Sequence, residues 1–140
     1  MVLSNYEFSF KSKVENSLIF EAKDKKLEIH LIVLEEDIIR ILFIPNSPLN
    51  LEKTWLVAPG SEDVPYQGRD RLDLSPFSLP DFTYESNNHE ITVQTSLLRA
   101  VIEFNGFKVH WFINHNDMWI NIANDRKTQN YNFNNNLGKG

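Results

Sequence analysis

From Tyr6 to Ile44 apolar side chains recur at every second position more often than at helical spacing, in segments cut apart by short polar clusters, and that period fits strands rather than helices. The clusters are Glu15-Asn16, Lys23-Asp-Lys-Lys26 and Glu35-Glu-Asp37, which predicts an antiparallel meander. In the run from Leu27 to Leu34, the residues Leu27, Ile29, Leu31 and Val33 share one face. The other face begins with Glu28 and His30 and turns apolar at Ile32 and Leu34, so the strand passes from a half-exposed region into a covered one. The run Ile38–Ile44 behaves alike and is stopped by Pro45, which cannot donate to a ladder.

Further strands are expected at Phe82–Glu85, His89–Thr95, Leu97–Phe104, Phe107–Ile113 and Met118–Ala123, all rich in β-branched and aromatic residues. Asn105-Gly106, between Phe104 and Phe107, is the strongest hairpin signal and predicts a type I′ turn. Asn87-Asn88 and Asn114–Asp117 supply neighbouring turns, because Asn and Asp tolerate left-handed backbone. About nine short strands joined by tight turns predict an all-β fold, an antiparallel two-sheet β-sandwich.

A chain of 140 residues, 41% hydrophobic, suffices for one packed core. The expected organisation is a sandwich domain over residues 1–129, followed by an Asn-rich tail over 130–140 that ends without a closing element, as in a piece cut from something longer. A net charge of −5 provides no positive field for nucleic acid or for anionic membrane surfaces. There is no apolar run of membrane-spanning length and no secretory leader pattern, and the chain has no cysteine, so a cytoplasmic location is expected.

One stretch resists regular structure. Pro and Gly are too dense from Lys53 to Pro80 for long elements, yet its aromatics and charges are too specific for a solvated linker. Within it Gly68-Arg-Asp-Arg-Leu-Asp73 is a dense charged cluster whose Arg forks could grip a carboxylate or a sugar, or could pin the loop to the sandwich. Candidate substrate-binding residues are therefore Arg69, Asp70 and Arg71, with Trp55 as a stacking platform beside them. Trp111 lies in register with Phe107, Val109 and Ile113 and is expected in the core. Glu35, Glu36 and Asp37 are adjacent in one turn and are expected to keep it solvated, and no acid and nucleophile pair of carboxylates emerges. His30, His89, His110 and His115 lack the spacing of a zinc motif, so no catalytic residue, metal or cofactor is predicted. Nucleotide-binding and acyl-transfer motifs are absent too.

Thr54-Trp-Leu-Val-Ala-Pro-Gly60, Gly68-Arg-Asp-Arg71, Asp73-Leu-Ser-Pro-Phe77, Asp125-Arg-Lys-Thr-Gln129 and Tyr131-Asn-Phe133 occur in an order that closely resembles the N-terminal region of the α-glucosidases of glycoside hydrolase family 31. The resemblance implies a galactose-mutarotase-like β-sandwich that precedes a catalytic (β/α)8 barrel. The nucleophile and acid/base aspartates of a retaining mechanism would lie on that barrel, beyond Gly140.

The leading expectation is thus a non-catalytic sandwich that supports the barrel of an enzyme acting on α-linked gluco-oligosaccharides. Its partners would be that barrel and the α-glucoside substrate. The alternative is a free-standing carbohydrate-binding sandwich that uses Trp55 and Arg69-Asp70-Arg71. A complete mutarotase-like enzyme would need a His and a Glu brought together on shared strands, and their spacing offers no such pairing. Self-association of the isolated chain is expected on the apolar side chains of the Lys53–Pro80 loop.

Overall fold

The computed structural model describes residues 3–45, 53–54, 68–70 and 72–126. A 3-10 turn, Leu3–Asn5, leads into β1 (Phe8–Val14), β2 (Ser17–Ala22), β3 (Leu27–Glu35) and β4 (Ile38–Pro45). Two short strands follow, β5 (Lys53–Thr54) and β6 (Arg69–Asp70), and then β7 (Thr83–Ser86), β8 (Glu90–Gln94), β9 (Leu98–Glu103), β10 (Lys108–His115) and β11 (Met118–Asn124). The strands form an antiparallel β1-β2-β3-β4 sheet, an antiparallel β11-β10-β9-β8-β7 sheet and a small β5-β6 pair. This is the two-sheet sandwich that the alternation predicts, and no described helix is long and apolar enough to cross a membrane.

Alternation decides which residues enter the core. Cross-strand partners Leu18 and Leu31, then Phe20 and Ile29, share the inner face of the first sheet. Ile91 and Ile102, then Val93 and Ala100, share that of the second. All eight are buried in one cluster together with Phe8, Phe107 and Val109, and Trp111, expected in the core, is only partly buried and packs against it. Phe20 and Phe107 meet edge-on, with ring centroids 5.1 Å apart. Each such pair adds about 0.5–1.5 kcal/mol beyond the burial of its area.

The turn chemistry differs from expectation at one place. Lys108 pairs with Glu103, so Phe104-Asn105-Gly106-Phe107 is a four-residue loop rather than a two-residue type I′ turn. Its positive φ angles fall on Gly106 and Phe107, because Asn105 bridges to Glu7 while the Gly106 N–H donates to the Tyr6 carbonyl at 2.8 Å. The chain's start thus outcompetes the local turn and seats both Phe104 and Phe107 in the core. Left-handed backbone costs a bulky residue about 1–2 kcal/mol, which the burial of Phe107, 1% exposed, offsets. Two positive φ angles, the signature of a type I′ turn, occur instead at Asn116-Asp117 between β10 and β11.

The opposite end of the sandwich is clasped by side chains. The Thr95 hydroxyl donates to the Glu36 carbonyl, and the Glu36 carboxylate accepts from the Ser96 N–H at 3.0 Å and its hydroxyl at 2.6 Å. These bonds join the β3–β4 turn to the β8–β9 turn.

Candidate functional site

The outer face of β3 is where sequence and structure focus together. Ile32 and Leu34 point away from the main core and are still 2% and 0% exposed, because Phe77 closes over them with Leu74, Leu79 and Ile38 at its edges. A β-bulge at Leu34, between the pairs Val33–Ile39 and Glu35–Ile38, marks the spot. The end of the loop is tied down at residues 78–80. The Leu79 N–H donates to the Leu34 carbonyl at 3.0 Å, and the Asn16 amide donates to the carbonyls of Pro80 at 2.8 Å and Val33 at 3.1 Å. Glu35 accepts from the Ser78 N–H at 2.9 Å and from its hydroxyl.

Trp55 and Arg71 lie outside the described residues. Arg69 and Asp70 form β6, paired with Thr54 and Lys53. The Arg69 guanidinium lies 5.0 Å above the Phe77 ring, and that of Arg40 lies 5.5 Å from the same ring. Such cation–π contacts contribute about 0.5–1 kcal/mol each at exposed sites. Asp70 caps a turn by accepting the Leu72 N–H at 2.8 Å, and Asp73 accepts the Ser75 N–H at 3.0 Å. The bonds from the Ser75 side chain and backbone, with a smaller contribution from the Arg69 charge, hold the Asp73 carboxyl below its ordinary range. Arg69 and Asp70 therefore take part in holding the loop. Of the apolar side chains expected to form an exposed face, Leu74, Phe77, Leu79 and Phe82 pack on their own chain, Leu72 is 54% exposed, and Trp55, Leu56, Val57 and Tyr66 lie outside the described residues.

Glu35 and Glu36 depart from their expected role as turn solubilisers. Bonds from Ser78 to Glu35 and from Ser96 to Glu36 lower both carboxyl pKa values, and each carboxylate fastens a different loop. Sequence reading missed this because the partners lie 43 and 60 residues away.

Two His–Glu pairings that spacing did not reveal are present. On the outer face of the first sheet His30 Nε2 lies 2.5 Å from Glu28, and Lys11 bridges Glu28 at 3.2 Å and Glu21 at 3.6 Å. The bond with His30 is the leading cause that keeps the Glu28 carboxyl below its ordinary range. On the second sheet, His110 joins Glu103 at 3.0 Å and Asn124 at 2.8 Å, and these bonds raise its pKa. The two pairs sit on separate sheets. A glycosidic acid needs a carboxyl held protonated, whereas every described carboxyl whose pKa is displaced is displaced downward. Among the described residues, no group of three or more His, Cys, Asp or Glu could hold a metal ion. The described contacts around β3 are packing contacts and hydrogen-bonded clasps.

No protein-family model, curated protein or solved structure matches this chain.

Proposed function

We propose that this chain is the N-terminal, non-catalytic β-sandwich of a retaining α-glucosidase, galactose-mutarotase-like in topology and working in the cytoplasm on α-linked gluco-oligosaccharides. Its task is to support a catalytic barrel. One observation carries the reading: the blocks that resemble family 31, Gly68-Arg-Asp70 and Asp73–Phe77, are folded onto a two-sheet sandwich as packing elements. The free-standing carbohydrate-binding alternative is weakened, since Arg69 and Asp70 are already engaged within the chain.

The test has two arms. Purified chain, free of host glucosidase, is assayed with p-nitrophenyl α-glucoside, and no turnover is expected; turnover contradicts the non-catalytic role. The reading frame beyond the Gly140 codon is then sequenced. A (β/α)8 barrel bearing paired aspartates fits the proposal, and a stop codon contradicts it in favour of the binding module.

A further inference from the structure

An Asn-Gly step is the point at which a chain in water most readily loses a side-chain amide, because glycine has no Cβ to keep its nitrogen from closing on the asparagine carbonyl. This chain holds one such step, Asn105-Gly106, and Asn105 is exposed. Its main chain is nonetheless held. The Gly106 N–H donates to the Tyr6 carbonyl at 2.8 Å and the Phe8 N–H to the Phe104 carbonyl at 3.0 Å, which makes Glu7 and Asn105 the facing, non-hydrogen-bonded pair of a short antiparallel bridge. Gly106 is buried, and Leu3, 0% exposed in the main core, anchors the segment that leads to Tyr6. The nitrogen that would attack Asn105 thus keeps its proton in a buried hydrogen bond that is costly to leave unmade.

We propose that Asn105 is a modification site kept latent by the Tyr6–Phe8 segment, and that its conversion releases that segment for good. When the segment lifts, the Gly106 nitrogen gives its proton to water and attacks Asn105 Cγ. The new N–Cγ bond forms, the bond from Cγ to the side-chain nitrogen breaks, and that nitrogen takes up a proton and leaves as ammonia. Water then opens the cyclic imide at either carbonyl, so one water enters, one ammonia departs, and aspartate or isoaspartate remains. Neither product fits back. Aspartate sets a second carboxylate directly across the bridge from Glu7, and like charges so placed destabilise a strand pair. Lys23, which meets Glu7 at 2.5 Å, answers only one of the two charges. Isoaspartate routes the main chain through Cβ and throws the two flanking hydrogen bonds out of register.

The intact chain is incubated in warm, mildly alkaline buffer with and without urea, and conversion at Asn105 is followed by peptide mapping and isoaspartyl methyltransferase labelling. Conversion should be at least about tenfold slower in the folded chain, because it waits on a local opening. Leu3→Ala loosens the anchor without touching Asn105 or Gly106, so it should speed conversion in buffer in step with Gly106 amide exchange and leave the rate in urea unchanged. A second set of variants serves if Leu3→Ala fails to fold. Asn105→Asp should raise Gly106 amide exchange about tenfold, and adding Glu7→Gln should recover part of that loss. Conversion as fast in buffer as in urea overturns the proposal, as does a Leu3→Ala chain whose Gly106 exchange rises while conversion does not. Gly106 exchange unmoved by Asn105→Asp, or unrecovered by Glu7→Gln, overturns the release.

Discussion

The two faces of β3 are buried by different means. Its inner face is covered by an entire second sheet and gathers rings from β1, β2, β4 and the β9–β10 loop. On its outer face, Phe77 is, among the described residues, the large buried ring over Ile32 and Leu34. The inner cluster depends on contacts between distant strands and should form or fail with the whole fold. The outer one depends on a local flap fastened by Glu35, Asn16 and the Leu79 amide, and it should open on its own at lower free energy.

Substitutions on either side can break that contrast. Phe107→Ala removes a ring that touches Phe8, Phe20 and Phe43, and leaves a non-Gly residue at positive φ. A loss of about 3–5 kcal/mol is expected from the denaturant midpoint, enough to unfold a marginal domain. Phe77→Ala should cost less, about 2 kcal/mol, because the loop can settle and water can reach the site from outside. Its signature is selective: faster proteolysis within residues 72–80 and unchanged near-ultraviolet dichroism from the main core. Equal losses for the two variants would merge the clusters into one cooperative unit.

Asn16→Ala removes two donors to carbonyls on either side of the flap and should cost about 1–2 kcal/mol in thermal unfolding. The smallest effect is pH-dependent. Glu28, Glu35, Glu36 and Asp73 have pKa values lowered in the fold, so their contribution is complete above the ordinary values of 4.5 and 3.8 and fades as pH falls through the lowered ones. His110 runs the other way: its pKa is raised from 6.5, so its contribution is complete below that value and is lost as pH rises through the raised one. Melting temperature should therefore decline on acidification below about pH 4.5 and soften slightly as pH rises past 6.5 through the raised His110 value. Glu35→Gln should reduce the acid decline in proteolytic resistance of the flap while sparing the main core.

Much of this architecture was legible in the residues. Alternation places Leu27, Ile29, Leu31 and Val33 in the core, and the apolar turn of the opposite face at Ile32 and Leu34 announces a second cover. Illegible were features that depend on chain segments far apart. Asn105-Gly106 carries the best local turn signal, yet pairing with Glu7 and Tyr6 draws it into a wider loop. The partners of Glu35 and Glu36 arise only once the sheets have assembled. Likewise, the Glu103–His110 contact needs the β9–β10 register, which sets Lys108 opposite Glu103 and His110 opposite Val101. For the candidate site, the sequence identified Arg69 and Asp70 by their charge but gave no sign that Phe77 is the ring on which the Arg69 and Arg40 guanidinium groups converge.

Native-state hydrogen exchange on the Leu79 amide tests the separation of the two faces most directly, because that N–H donates across the outer cluster to Leu34. With the faces opening separately, Leu79 exchanges through a partial opening at lower free energy than the amides of Val33 and Val93 in the main sheets, and Phe77→Ala erases its protection while theirs persists. Protection at Leu79 equal to that of Val93, lost only on global unfolding in both proteins, would contradict the separation.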